Sequence, residues 1–300
     1  MTWGHVQSEV HQDHSVRKNL YHKLERQLGG KVRVVSFFTS FTWPVLIQDE
    51  DVDILEEILR NMELGDKELV VVLNSPGGEA LPAERIVNVC RSFSGNKFSV
   101  IVPRMAKSAA TMICFGARKI RMSKTSELGP IDPQIAIQDE DGMPMKYLAA
   151  HEIIESYDDL MRRANKTKGR IEPFLQQLAR FDARDIRRIV SAQKLSESIA
   201  VKCLAADVMA GKTQSEIKQK IRPFLDPKST VDHGRPIYHD LAAQCGLPIE
   251  VHELKDPMWE TVWQIYVRLN HFVSGGRSTI AKAMESSEDS YSAGISLPQR

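Results

Sequence analysis

Two stretches, Leu69–Leu73 and Phe98–Val102, are apolar over the length of a strand, and each runs into a turn and then a segment with helical periodicity. A strand that is apolar on both faces has to be covered on both. The arrangement that does this with short connections is a parallel sheet carrying helices on either side. The neighbouring segments fit the same alternation. Lys31–Phe38 is rich in β-branched residues and suits a strand. Gln48–Leu64 opens on acidic residues and repeats Ile54, Leu55, Ile58 and Leu59, which suits a helix. Pro82–Phe93 reads as a second helix, Ser108–Gly116 as a helix of small residues, and Lys119–Met122 as a short strand. An α/β fold of βα repeats with a mainly parallel sheet therefore occupies about residues 31–135, followed by a helical C-terminal part.

The flanks differ from this centre. Ser15–Leu28 carries one stripe, Leu20, Leu24 and Leu28, that stops at Gly29-Gly30, the pattern of a short amphipathic helix. Met145–Ala164 and Ile171–Gly211 read as mostly helical and charge-laced, and Pro257–Phe272 as a last helix whose Trp259 and Trp263, at helical spacing, suit core or subunit packing. After Ser274-Gly275-Gly276 the chain is poor in apolar residues and is expected to fray. The division expected is an N-terminal arm and helix over 1–30, one domain over 31–273, and a flexible tail over 274–300.

Charge narrows the partners. Forty Lys and Arg stand against 39 Asp and Glu, a net charge of +1, which gives no global pull toward nucleic acid or acidic lipid. The run Arg184, Arg187, Arg188 and Lys194 alternates with acidic residues and suits a solvated helix face, so no nucleic-acid partner is expected. No window reaches the roughly 20 apolar residues of a membrane span, and the start lacks a signal-peptide pattern. A cytoplasmic protein with no membrane span is the expectation. Cys90, Cys114, Cys203 and Cys245 are scattered, which suits buried thiols. The histidines His5, His11 and His14 lack a ligand pattern, and no GxGxxG follows the first strand, so neither a metal nor another cofactor is expected.

Two turns follow the apolar strands, where parallel sheets place their ligands. The first is Ser75-Pro76-Gly77-Gly78, whose glycines permit backbone shapes that aim N–H groups outward; ordinary turn chemistry explains the same residues. The second, Pro103–Thr111, brings Ser108 to a helix start, where it is either an N-cap or a nucleophile. A nucleophile there gains from the helix terminus and from the N–H of the next residue.

Together SPGG at Ser75–Gly78, MAKSAAT at Met105–Thr111 and SELGPIDPQI at Ser126–Ile135 resemble the serine peptidases of the Clp-protease/crotonase fold. The likeness is nearest to the serine dehydrogenase proteinase family, relatives of signal peptide peptidase A. It extends to HGRPI at His233–Ile237 and CGLPIEV at Cys245–Val251, covering about residues 30–270. The resemblance implies that Ser108 is the nucleophile and that the oxyanion hole is built from Gly77, which shapes the turn, and from the N–H groups of Gly78 and Ala109. It implies a peptide or protein substrate and a homo-oligomer.

The base divides the pattern. No histidine occurs between Ser108 and His151, so the Clp-subunit spacing, which would fall at Pro133, is not met. Signal peptide peptidase relatives use a downstream lysine, and the Gly142-Met143-Pro144-Met145-Lys146 segment makes Lys146 the first candidate for a Ser-Lys dyad. A lysine acts as a base only where burial or a nearby cation lowers its pKa. Lys166, Lys168, Lys194 and His151 remain alternatives, the last if the helix after Pro144 folds back. Asp132, between Ile and Pro, reads more simply as a turn residue than as a catalytic acid. The other class of function is a crotonase-like scaffold that keeps the oxyanion turn for binding an acyl or peptide group, or serves only in assembly.

Overall fold

A computed structural model describes residues 14–43, 45–137, 146–226, 236–274 and 279–295, with backbone alone for 134–137, 146 and 147. Described helices and strands follow in chain order. Helix α1 (His14–Gln27) leads into β1 (Val32–Thr39), α2 (Asp49–Asn61), β2 (Glu68–Asn74), α3 (Ala80–Ser94) and β3 (Phe98–Val102). The short β4 (Met105–Ala106) precedes α4 (Ala109–Phe115), β5 (Ile120–Ser123) and β6 (Glu127–Leu128). A hairpin of β7 (Gln134–Ile137) and β8 (Lys146–Ala149) opens a helical region of α5 (Ala150–Lys166), α6 (Glu172–Leu178), α7 (Ala183–Ala205), α8 (Gln214–Lys220) and α9 (Arg222–Leu225). The chain closes with β9 (Ile237–Tyr238), α10 (His239–Gln244), β10 (Ile249–His252), α11 (Pro257–Ser274), β11 (Ile280–Glu285) and β12 (Ser290–Gly294).

The main sheet has seven strands in the order β10-β5-β3-β2-β1-β11-β12. From β10 to β1 every pairing is parallel, with Val34 opposite Val70 and Val71 opposite Val100. Alternation sorts their side chains into two cores. Val35, Phe37, Val71, Leu73, Val100 and Val102 face α2, α3 and α4, whereas Val34, Phe38, Val70, Val72 and Ile101 face α1 and α11. Trp259 of α11 is buried in the second core, so that tryptophan packs within the chain. Burial on both faces is what the unbroken apolar runs require.

Two expectations need correction. The chain beyond 274 does not simply fray: β11 pairs antiparallel with β1, and β12 covers β11. The segment reads as polar because Glu285 is fully buried against the Arg17 guanidinium at 2.6 Å, so its charge is met inside the fold and not by water. The expected helix from Met145 likewise begins only at Ala150, after β8 has paired back on β7.

Candidate active site

Strand β2 ends at Asn74, and the following turn is fastened on two sides. Toward the next strand, Ser75 donates its N–H to Met105 O (3.0 Å) and accepts from the Lys107 N–H (3.0 Å). Toward β1, Ile47 donates its N–H to Gly77 O (3.0 Å) and accepts from the Glu79 N–H (2.9 Å). The Ser75 hydroxyl fills the interior by accepting from Thr39 (2.6 Å) and from the Gly77 N–H (3.0 Å). Glycine is required at both of the next positions. Gly77 has φ +109°, and a β-carbon there would lie 2.6 Å from Lys107 O and 2.7 Å from the Ser108 β-carbon. A β-carbon on Gly78 would overlap the Ile47 backbone. The first turn is thus pressed directly against the second.

Ser108 sits at the start of α4 with φ 50° and ψ −121°, a conformation that costs a non-glycine residue about 1–3 kcal/mol. What holds it is a ring of backbone bonds. Its N–H donates to Pro130 O at 3.1 Å, its carbonyl accepts from the Met112 N–H at 3.2 Å, and the Ala110 N–H donates to Lys107 O at 2.9 Å. The Thr111 hydroxyl, between Ala106 O (2.8 Å) and Gly129 O (2.9 Å), ties the GPID segment to the same turn. A strained serine on a sharp strand-to-helix turn presents its hydroxyl outward. Ser108 is half-buried, and among the described residues its Oγ has no hydrogen-bond partner.

Among the described residues the N–H groups of Gly78 and Ala109 meet no acceptor. They lie on the two turns that Gly77 holds in contact. Small side chains at Ala106, Ala109 and Ala110, all buried, leave the turn thin. Nearby charge is self-contained, since Lys107 Nζ pairs with Glu127 at 2.7 Å and donates to Leu128 O at 3.3 Å. Cysteine is not an alternative nucleophile: all four thiols are buried, and burial pushes Cys203 and Cys245 up to about 11 and Cys90 and Cys114 further still.

The candidate bases are dispersed. Lys146 lies in β8 opposite Ile137, and its side chain is outside the described residues. Lys166 ends α5, about 22 Å along the helix axis from His151 at 1.5 Å per residue. Lys166, Lys168 and Lys194 are all exposed. His151 does fold back. The hairpin returns the chain so that the Ala150 N–H donates to Pro133 O at 2.8 Å, and His151 Nδ1 meets Asp132 Oδ2 at 2.8 Å. The Asp132 side chain is fully buried, that of His151 is 14% exposed, and Gln193 Nε2 of α7 donates to the other carboxylate oxygen at 3.4 Å. Sequence reasoning passed over this pair because 19 residues separate its members. The signal was the hairpin, whose two four-residue strands close the gap.

Among the described residues no three His, Cys, Asp or Glu side chains converge as a metal site, and no helix is long and apolar enough to cross a membrane. Two proteins of Methanocaldococcus jannaschii, "Uncharacterized protein MJ1495" and "Uncharacterized protein MJ0137", are 37% and 38% identical over 82 residues. That stretch is 27% of this chain and spans only 28% of each relative. Among solved structures, two mutants of the 1510-N membrane-bound stomatin-specific protease overlay with TM-scores of 0.30 and 0.29 at 19% and 15% identity. The overlays cover 48% and 79% of this chain and 67% and 96% of those chains; the second structure holds a substrate peptide. Residues 9–145 match the family described as ClpP-like SDH-type serine proteinase, a span that contains Gly77, Gly78, Ser108 and Asp132 and stops one residue before Lys146. Both turns lie inside the segment that is similar to the ClpP-like SDH-type serine proteinases.

Proposed function

We propose that the protein is a serine peptidase in which Ser108 attacks the peptide carbonyl. As the bond from Oγ to the carbonyl carbon forms, the hydroxyl proton passes to a base and the carbonyl electrons move onto oxygen. The Gly78 and Ala109 N–H groups stabilise that oxyanion, with Gly77 keeping them together. Collapse breaks the C–N bond, the amine leaves with the proton, and water then releases the acyl group by the same steps.

One observation carries this reading: a strained serine at a helix start is packed against a glycine turn, and the two unpaired N–H groups belong to those two turns. An N-cap alone would not account for it, because the Ser108 side chain caps no N–H of α4. By resemblance the base is Lys146 in a Ser-Lys dyad; His151 is the other candidate. Homo-oligomeric assembly, a peptide substrate and a cytoplasmic setting belong to the same proposal.

The test is covalent. A fluorophosphonate probe should label the chain at Ser108, and Ser108→Ala should abolish labelling and peptide hydrolysis together. Undiminished labelling in that variant would remove the nucleophile, and a folded chain that neither labels nor hydrolyses would favour a binding scaffold.

A further inference from the structure

We infer that Asn74 is a positioning residue for Ser108, an inference that rests on the serine peptidase reading above. Asn74 closes β2 on the face it shares with Val70 and Val72, which α1 and α11 cover, and it is fully buried. An aliphatic side chain would fill that face without burying a polar group. The amide, moreover, uses one end only. Its Oδ1 accepts the Met105 N–H at 3.1 Å, while among the described residues its buried Nδ2 meets no acceptor. The atom that faces a backbone N–H has to be the oxygen, so the unpaired end is the NH2 group. A buried amide left half unsatisfied is costly, and what the position gains in return is the oxygen.

The place of that one bond gives it a role. After β3 the chain leaves the main sheet at Pro103 and is caught again as β4, between the end of β2 and β6. Toward β6, Arg104 O accepts the Glu127 N–H at 2.7 Å and Ala106 O accepts the Gly129 N–H at 3.1 Å; toward β2, Ser75 bonds Met105 O and the Lys107 N–H. These rungs run from backbone to backbone. The Met105 N–H is met by a side chain instead. Along the same ladder Asn74 stands against Met105, Ser75 against Ala106, and Gly77 against Ser108, where a β-carbon on the glycine would lie 2.7 Å from that of the serine. The ladder that begins at Asn74 therefore ends at the contact between the glycine turn and the nucleophile. A slip of β4 along β2 would move the Ser108 hydroxyl relative to the Gly78 N–H, and a displacement of about 1 Å between reacting groups costs on the order of 10²-fold in rate. Asn74 blocks that slip at the end where the chain enters.

The experiment measures the fluorophosphonate labelling rate per folded chain, with the folded fraction taken from circular dichroism, for the full chain and for Asn74→Leu, Asn74→Asp, Val72→Ala and Ser108→Ala. Asn74→Leu keeps the volume and removes the acceptor, and should label at least about 10-fold more slowly. Asn74→Asp keeps an oxygen for the Met105 N–H in either protonation state, and should stay within about threefold of wild type. Val72→Ala takes apolar packing from the same face but leaves the Met105 N–H its acceptor, so each folded chain should label at the wild-type rate, which separates positioning from lost stability. A wild-type rate in Asn74→Leu, an Asn74→Asp as slow as Asn74→Leu, or an equal loss in Val72→Ala overturns the assignment and leaves the peptidase reading standing. Should Asn74→Leu fail to fold, hydrogen exchange on the unaltered chain decides. The Met105 amide should be protected as well as that of Lys107, and a freely exchanging Met105 amide overturns the assignment. Undiminished labelling in Ser108→Ala instead removes the peptidase reading, and the assignment with it, even where Met105 is protected.

Discussion

The two turns that would stabilise an oxyanion and the helices that supply His151 are built to different standards. The turns are laced to each other and to Ile47 by backbone hydrogen bonds between 2.9 and 3.0 Å, over side chains that belong to the large core. Among the described residues, helix α5 and the first half of α7 share a small cluster of Ala150, Ile153 and Ile189, with Ile154, Phe181 and Ile186 at its margin, and α6 buries no residue. Leu148, Met161, Ile171 and Leu175 remain exposed around them, the last at 52%. Donors aimed at developing charge lose their effect when displaced by a fraction of an ångström, and backbone inside a sheet layer holds them without adjustment. A thinly packed arm opens at lower cost.

The largest expected effect would break the rigid half. Gly78→Ala sets a β-carbon on the Ile47 backbone, where no flexible chain end can yield. A cost of at least about 3 kcal/mol is expected in urea unfolding, along with loss of probe labelling. Gly77→Ala adds the strain of φ +109° to a contact with Ser108 itself. It should lose labelling more completely than it loses stability. If either variant labels normally, the two turns are not held in the contact described.

The contrast sharpens with the arm. Ile153→Ala and Ile189→Ala remove apolar contacts from a cluster of three buried residues, and each is expected to cost about 1–3 kcal/mol locally. Hydrogen exchange should accelerate in α5 and the start of α7 while β1, β2 and β3 keep their protection. Uniform acceleration across the sheet would mean that the arm and the core unfold as one unit.

The same contrast governs what could be read from the chain. Both turns were legible because each is local: an apolar strand, then glycine or small residues, then a helix. Ser108 was legible as a residue, whereas its φ of 50° depends on Pro130 O, a partner from another segment. The Asp132–His151 contact was not legible, since it exists only once β7 and β8 pair, and Asp132 alone looks like turn chemistry. Residues beyond 274 misled for a related reason. A buried glutamate is indistinguishable in sequence from a solvated one until Arg17, far away in the chain, is found beside it.

A pH-dependent effect of intermediate size lies where Ile47, the support of Gly78, leads into α2. Asp51 accepts the Gln48 N–H at 2.8 Å and pairs with Lys282 at 2.9 Å. Burial raises its pKa above the usual carboxylate value, against the opposing pull of Lys282. A raised folded-state value means that the stability Asp51 contributes is fully present below the unfolded value and is lost as pH rises through the folded one. Lys282→Ala removes the compensating cation and raises the value further. The variant should therefore be less stable than wild type by about 1–3 kcal/mol at neutral pH, and melting curves should converge on acidification as Asp51 takes up its proton. A gap that stays constant with pH would mean that Lys282 acts through its methylenes alone.

The smallest expected effect concerns a single hydroxyl inside the rigid half. Thr39 donates to the Ser75 Oγ, and that same oxygen accepts the Gly77 N–H, so Thr39 fixes which way the Ser75 hydroxyl faces. Thr39→Val keeps the shape and removes the donor, at a cost of about 1 kcal/mol. The Gly77 N–H keeps its acceptor in this variant, and labelling should fall less than about threefold. Ser75→Ala instead strands the buried Gly77 N–H and should cost more in both stability and labelling. If the two variants behave alike, the Gly77 N–H is not what holds the turn, and its rigidity comes from the bonds to Ile47 and Met105 alone.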